Sequence, residues 1–305
     1  MFSTHLSMQT TYLFLLLLSL VLTSCGGGST DNTGQVKFSI TDAPIDSAEK
    51  VVIHFDSVTL HGPNGDNRVS IVDPETINDG RDIDLLLLQS GQWTGLFDTE
   101  VTAGHYSWIR LWLDLEKSYI QIAGSQYALR CTSCENSGYR INTSFDVEAD
   151  STLTMMLDFD LRKSITDPDG PALDYILRPT VRMVNSAASG AITGNVDPTL
   201  ITLLGNDNCS IYVFDGHDAQ LDDVYIPISD AIPEIQNNPV SSTKVANISP
   251  YSYTAAFLPE GSYTIAVTCD TESDSAATDD TLTFSEAQNI IVTAGTTTTA
   301  NFLLP

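Results

Sequence analysis

The chain has 305 residues, with 39 acidic side chains against 13 Lys and Arg, a formal net charge of −26. That charge argues against nucleic acid or an anionic membrane surface as partner, because both would repel it. A hydrophobic content of 42% rules out general disorder, and the length allows two domains more readily than one.

Leu13 to Leu22 (LFLLLLSLVL) is an apolar run interrupted only by Ser19. It is shorter than the roughly 20 residues a bilayer span needs and suits the core of a signal peptide. Leu22, Thr23, Ser24 and Cys25 follow, then three glycines. Small residues just before a cysteine resemble the lipobox of bacterial lipoproteins, in which cleavage precedes the cysteine and its thiol carries diacylglycerol. The resemblance implies a signal peptide over 1–24, lipidation (diacylglycerol and palmitate) at Cys25, and a membrane partner reached through that acyl anchor. Gly26 in place of an aspartate after the cysteine directs such a protein to the outer membrane of the cell envelope. Met1 to Tyr12 lacks the Lys or Arg that usually opens an export signal. An ordinary secretory signal with an incidental Cys25 is therefore the competing reading. Residues 25–34, rich in Gly and Ser, read as a flexible tether.

Beyond the tether the pattern is all-β. Val36, Phe38 and Ile40 alternate with Lys37 and Ser39, the period of a strand with one buried face. Val51, Ile53, Phe55, Val58 and Leu60 continue it. Further strands are predicted at Tyr106–Leu115, Tyr119–Ile122, Tyr127–Leu129, Tyr139–Phe145, Leu153–Phe159 and Tyr175–Val184. Turn sequences such as Gly62-Pro63-Asn64-Gly65 and Asp167-Pro168-Asp169-Gly170 separate them. Ile83–Gln89 reads as a short helical turn, and no long segment of helical period appears. Asn185 to Gly190, small residues throughout, marks a boundary between a first β-sandwich over 35–185 and a second over 190–305. The second is predicted to hold about seven strands: Ala191–Val196, Ser210–Phe214, Tyr251–Phe257, Ser262–Cys269, Thr281–Phe284, Gln288–Val292 and Thr297–Leu303. Each half has a glycine turn leading a tyrosine into a strand, Gly104-His105-Tyr106 and Gly261-Ser262-Tyr263.

Several motifs occur in order along the first half: Thr41-Asp42-Ala43-Pro44, Asp84-Leu85-Leu86-Leu87, Gly104-His105-Tyr106-Ser107-Trp108, Leu157-Asp158-Phe159-Asp160-Leu161-Arg162-Lys163 and Leu177-Arg178-Pro179-Thr180. Over residues 34–184 they resemble the secreted bacterial family called domain of unknown function 4382. That resemblance implies an envelope lipoprotein and supplies no catalytic residue. The second half looks like a prealbumin-like or carboxypeptidase-regulatory-like sandwich, on the phrases Gly190-Ala191-Ile192-Thr193-Gly194 and Leu258-Pro259-Glu260-Gly261-Ser262-Tyr263. Some such sandwiches form lysine–asparagine crosslinks. Here the single lysine of that half, Lys244, falls in a predicted loop, which disfavours that chemistry.

The charge is uneven. From Gly190 to Pro305 one base faces 15 acids, net −14; from Cys25 to Ala187 there are 12 bases and 24 acids, net −12. In an exported chain the four cysteines after Cys25 pair as Cys131–Cys134 and Cys209–Cys269, the second expected to cross-link its sandwich. The CxxC of Cys131 and Cys134 lies in a Ser/Gly/Asn-rich loop, so a structural disulfide is preferred over a zinc half-site or a redox pair. Asp42 reads as a turn acceptor ahead of Pro44. Asp158 and Asp160 share one strand face, and their basic neighbours favour ion pairing over a cation site. The acidic loops Asp215–Asp223, with Asp218 and Asp222, and Asp270–Asp280 could hold Ca²⁺. Neither has the spaced Asp/Asn pattern of a calcium loop, and a solvated acidic face is the preferred reading.

His54, His61, His105 and His217 are scattered, and no nucleophile or phosphate-loop motif is present. Trp108 and Trp112 share parity on one strand and are candidates for stacking on a sugar ring, with packing the plainer alternative. The expectation is a lipid-anchored envelope protein without enzymatic activity or cofactor, binding or structural in role. The rival functions are a carbohydrate-binding accessory lipoprotein and a hydrolase using an unrecognised carboxylate site. Expected partners are the membrane, a glycan or an envelope protein, and no nucleic acid.

Overall fold

The computed structural model describes residues 32–304 apart from 44, 46–47, 76–78, 167–173, 206–207 and 227–236. The signal segment, Cys25, most of the tether and the turn at 167–170 lie outside the described residues. The first half carries β1 (Thr33–Ala43), β2 (Lys50–Gly62), β3 (Gly65–Ser70), β4 (Arg81–Asp84), β5 (Thr94–Thr102), β6 (Gly104–Tyr106) and β7 (Trp108–Ile122). It continues with β8 (Ser125–Arg130), β9 (Tyr139–Ile141), β10 (Phe145–Val147), β11 (Thr152–Asp160), β12 (Ile165–Thr166), β13 (Tyr175–Leu177) and β14 (Val181–Asn185). The second half carries β15 (Ser189–Asn195), β16 (Ser210–Asp215), β17 (Ser241–Lys244), β18 (Ser252–Pro259), β19 (Gly261–Thr268), β20 (Gln288–Val292) and β21 (Thr297–Thr299).

The fold is all-β, as the alternation predicts. One sheet of the first sandwich runs β14-β11-β1-β5, with β1 and β11 parallel. The facing sheet runs β12-β13-β8-β7-β2-β3, with β4 added beside β2 and β9 beside β7. Between them lies a core that includes Phe38, Ile40, Ile53, Phe55, Leu60, Ile109, Leu111, Leu157 and Phe159. In the second sandwich β18-β15-β21 faces β17-β16-β19-β20 over a core that includes Ile192, Ile211, Val213, Tyr253 and Ile265. A satellite cluster holds Tyr212, Phe214, Val224 and Ala276. Among the described residues no strand of the first half pairs with one of the second. Side-chain contacts join them, and Thr33–Pro305 forms one compact unit.

Several expectations need correction. The strand β1 begins at Thr33 and pairs Gly34 with Val101, so the tether ends two residues earlier than its composition implies. Asp42 lies inside β1, in register with Phe159, and is not a turn residue. Trp108–Ile122 is one strand, bent by register shifts against β2 rather than divided. Tyr139–Phe145 and Tyr175–Val184 are each broken, the second around Arg178, Pro179 and Thr180, because proline cannot donate to a ladder. Thr281–Phe284 forms no strand, only an isolated bridge from Phe284 to Thr268. Lys244 ends β17 instead of sitting in a loop.

A helix over Pro198–Leu204 was absent from the predicted elements, although its ends are written in the sequence. The Asp197 side chain accepts from the Thr199 N–H at 2.7 Å, Pro198 opens the first turn, and Gly205 closes it at φ +89. The expected helical turn near Ile83–Gln89 is a 3-10 turn, Leu85–Leu88, with Asp84 as its N-cap.

The glycine–tyrosine phrases give the two halves the same local device. The Tyr106 hydroxyl donates to the Thr102 carbonyl at 2.8 Å, and the Tyr263 hydroxyl donates to the Pro259 carbonyl at 2.8 Å. In both, a buried ring is tied back four residues along the chain, the arrangement known from sandwich domains as a tyrosine corner. Gly62 lies against the first of these rings; a Cβ there would stand 2.2 Å from the Tyr106 ring.

Both expected disulfides are formed, Cys131–Cys134 and Cys209–Cys269. The second does not link the two sheets of its sandwich. Ser210 pairs with Thr268, so the cysteines just beyond them extend the β16–β19 pairing within one sheet.

Candidate functional site

The outer face of the sheet around β7 gathers basic and aromatic side chains that the fold places by strict alternation. Ile109 and Leu111 point into the core, which turns Trp108, Arg110 and Trp112 outward. The ladder sets Arg110 opposite Thr59 of β2, which in turn faces Arg68 of β3; on its other edge Arg110 faces Arg140 of β9. Three arginines therefore lie in one row across four strands. Trp108, opposite His61, flanks the row on one side; Trp112, opposite Ser57, flanks it on the other.

The rings and guanidinium groups interleave. Arg68 lies 4.2 Å from the Trp112 ring centroid, and Arg140 lies 4.6 Å from that of Trp108. Arg110 stands between them, 5.2 Å from Trp108 and 5.7 Å from Trp112. The His61 ring stacks on Trp108 at 4.7 Å with 6° between planes, and the Trp112 indole N–H donates to Thr59 Oγ1 at 2.9 Å. Each cation–π contact contributes roughly 0.5–1 kcal/mol at such half-exposed sites and fixes the guanidinium plane.

Arg68 is neutralised by Asp56 at 3.0 Å. Arg110 and Arg140 form no ion pair among the described residues, although they sit directly opposite each other. Like charges so placed cost a few tenths to about 1 kcal/mol, and the chain has three acids for every base. The Cys131–Cys134 loop braces this pair. Its Gly138, at φ +62, lets the backbone pass so close that a Cβ would stand 2.8 Å from the Leu111 carbonyl and 3.0 Å from Arg110 Cγ. Beyond Trp112 and Arg68 a cleft of about 650 Å³ opens, bordered by Asp56, Leu113, Asp114 and Leu115.

The other sequence candidates fall into structural contacts. Asp158 pairs with Arg182 at 2.5 Å and borders a space of only about 10 Å³. Asp160 pairs with Lys163 at 2.9 Å and caps the single turn Leu161–Ser164. Asp218 and Asn289 exchange hydrogen bonds of 2.7 and 2.9 Å, and Asp222 accepts the Asp223 N–H at 3.1 Å. Asp215 ends β16 and is exposed. His54, His61 and His105 each meet an aspartate, Asp82, Asp66 and Asp146 respectively. No described serine, threonine or cysteine donates to the remaining ring nitrogen of any of the three.

The two acidic loops do converge, at their ends Asp223 and Asp280 together with Asp274 rather than at Asp215, Asp218 or Asp222. Carboxylate oxygens of Asp223, Asp274 and Asp280 lie within 4.8 Å of one another, the grouping among the described residues best suited to a cation. Burial, with the nearby Asp274, Asp222 and Asp279 charges, pushes the Asp223 carboxyl up to about 6, against the opposing pull of the Asp280 N–H. Burial also raises Asp274, despite the Tyr212 hydroxyl that donates to it and the charge of Arg162. Arg162 belongs to the first half. It reaches into the second, donating to the Thr271 carbonyl at 2.7 Å, 3.9 Å from Asp274 and over the Tyr212 ring. Its neighbour Lys163 donates to the Pro239 carbonyl at 2.6 Å. The Leu157–Lys163 motif thus docks the two sandwiches and supplies the acidic group with a counter-charge.

Residues 33–179 match the family model described as Domain of unknown function (DUF4382). The match falls on the first sandwich, the segment whose motifs carry the resemblance to that family. No curated protein matches the chain. Among solved structures the chain is similar to the Bacillus anthracis TIE protein, at 10% identity and a TM-score of 0.21, covering 88% of this chain and 33% of that one. It is similar to a leucine-rich repeat protein from Bacteroides thetaiotaomicron, at 11% identity and a TM-score of 0.18, covering 90% and 26%. It is also similar to GBS52, the minor pilin of Streptococcus agalactiae, at 8% identity and a TM-score of 0.21, covering 87% and 94%. The chain spans about one third of the first of these proteins and about one quarter of the second.

Proposed function

We propose that this protein is a non-enzymatic binding module of the bacterial cell envelope, anchored at the outer membrane by an acyl chain on Cys25. Its working surface is the arginine–tryptophan face of the first sandwich. One observation carries the binding role: Arg110 and Arg140 are held opposite each other without a carboxylate partner among the described residues of a strongly acidic chain. The paired state of Asp158 and Asp160 gives a carboxylate-based hydrolase no support. Among the described residues no helix is long and apolar enough to cross a membrane. Attachment through Cys25 needs none, and covalent lipid overrides the repulsion expected from the net charge.

Anchoring is tested by substitution. Cys25→Ala, or inhibition of lipoprotein signal cleavage by globomycin, is expected to leave unprocessed precursor and deplete the outer-membrane fraction. Unchanged processing and membrane retention would remove the anchor from this reading.

A further inference from the structure

Resting on the binding role above, we propose that the outer face of β2, β3, β7 and β9 binds a uronate-bearing glycan, with Arg110 and Arg140 as the groups that hold its carboxylates. Arg110 Nε is buried without a hydrogen-bond partner, and neither guanidinium has a counter-carboxylate among the described residues. Both lie against indole rings, so their planes are set before a ligand arrives, and a planar guanidinium of fixed orientation suits bidentate contact with a carboxylate.

The row has a spacing as well as a charge. Neighbouring strands lie about 4.8 Å apart. Arg140 and Arg110 are therefore one strand apart and Arg110 and Arg68 two, steps comparable to one and two residues of an extended sugar chain. Neutral stacking is not what Trp108 offers. His61 comes to it from β2 and Arg140 from β9, on opposite edges of β7, so its ring is already enclosed.

The adjoining cleft decides between a glycan and an acidic polypeptide. Beside Trp112 it presents Asp56, Asp114, Glu116 and Glu135 together with Leu113 and Leu115. Carboxylates accept from sugar hydroxyls, and leucines cover the C–H faces of a pyranose. A peptide of closely spaced acids brings the same charge as a polyuronate but neither the hydroxyl donors nor the pyranose C–H face that this lining can meet. At physiological ionic strength charges beyond about 8 Å are screened, so the face acts on a ligand locally despite the net charge of the chain.

The test is calorimetric titration of the full-length protein in detergent with polygalacturonate, its fully methyl-esterified neutral form, and polyglutamate. Polygalacturonate is expected to bind, and binding should weaken as salt rises. The ester, polyglutamate and the Arg110→Gln/Arg140→Gln variant should each bind about tenfold more weakly or worse. Arg110→Lys/Arg140→Lys keeps the charge and controls for folding; it should fall between wild type and the Gln variant. Equal binding of polyglutamate, no binding of polygalacturonate by folded protein, or indifference to both double substitutions overturns the proposal. Equal, arginine-independent binding of the ester overturns the uronate while sparing the binding role. Shortening of the polymer during incubation would instead defeat the non-enzymatic reading.

Discussion

At the scale of single residues, the two tyrosine corners make the cleanest comparison. Tyr106 and Tyr263 each bury a ring and direct one hydroxyl at a carbonyl four residues back. Tyr106→Phe and Tyr263→Phe should each cost about 1 kcal/mol, read as a shift in urea midpoint at unchanged slope. A null effect at one site only would break the equivalence of the two corners. Asp223 gives the second prediction. Its carboxyl ordinarily titrates near 3.8 and is pushed up to about 6 in the fold, so the folded state holds the proton more tightly than the unfolded chain. The associated stability is complete below pH 4, falls as pH rises toward 6, and is lost above it, by on the order of 2 kcal/mol. Asp223→Asn should flatten this decline when denaturation is followed from pH 4 to pH 8. A mutant that kept the full slope would assign it to Asp274 alone.

At the scale of elements, strands were legible wherever one face is buried. Val36, Phe38 and Ile40 wrote β1, and Trp108 to Trp112 wrote both the core and the outer face of β7. Legibility failed where tertiary contacts replace alternation. The segment Thr281–Phe284 has the residues of a strand but only one bridge, because its phenylalanine packs on Tyr212 and Phe214 instead. The short β17 is polar and is defined only by its pairing with β16. The parity of Trp108 and Trp112 was readable, but Arg68, Arg110 and Arg140 come from three strands, and only the register puts them in one row. The same holds for Asp223, Asp274 and Asp280, which two loops bring together. The disulfides offer a test at this scale. Cys209→Ser/Cys269→Ser opens a loop of 60 residues and should cost about 4 kcal/mol, whereas Cys131→Ser/Cys134→Ser should cost about 2 kcal/mol. Equal losses would mean that packing of the sulfurs outweighs loop closure.

At the scale of the whole molecule, an acidic protein confines to one sheet face two arginines that have no carboxylate partner among the described residues. The first sandwich carries that face, the Arg162 contact ties it to the more acidic second sandwich, and the proposed lipid on Cys25 would hold both at the membrane. A hydrogen-exchange footprint of the full-length protein with polygalacturonate tests this division of labour most directly. Added protection is expected over β2, β3, β7 and β9, with the second sandwich unchanged. Protection centred on 208–224 or 270–285, or none at saturating ligand, would contradict it.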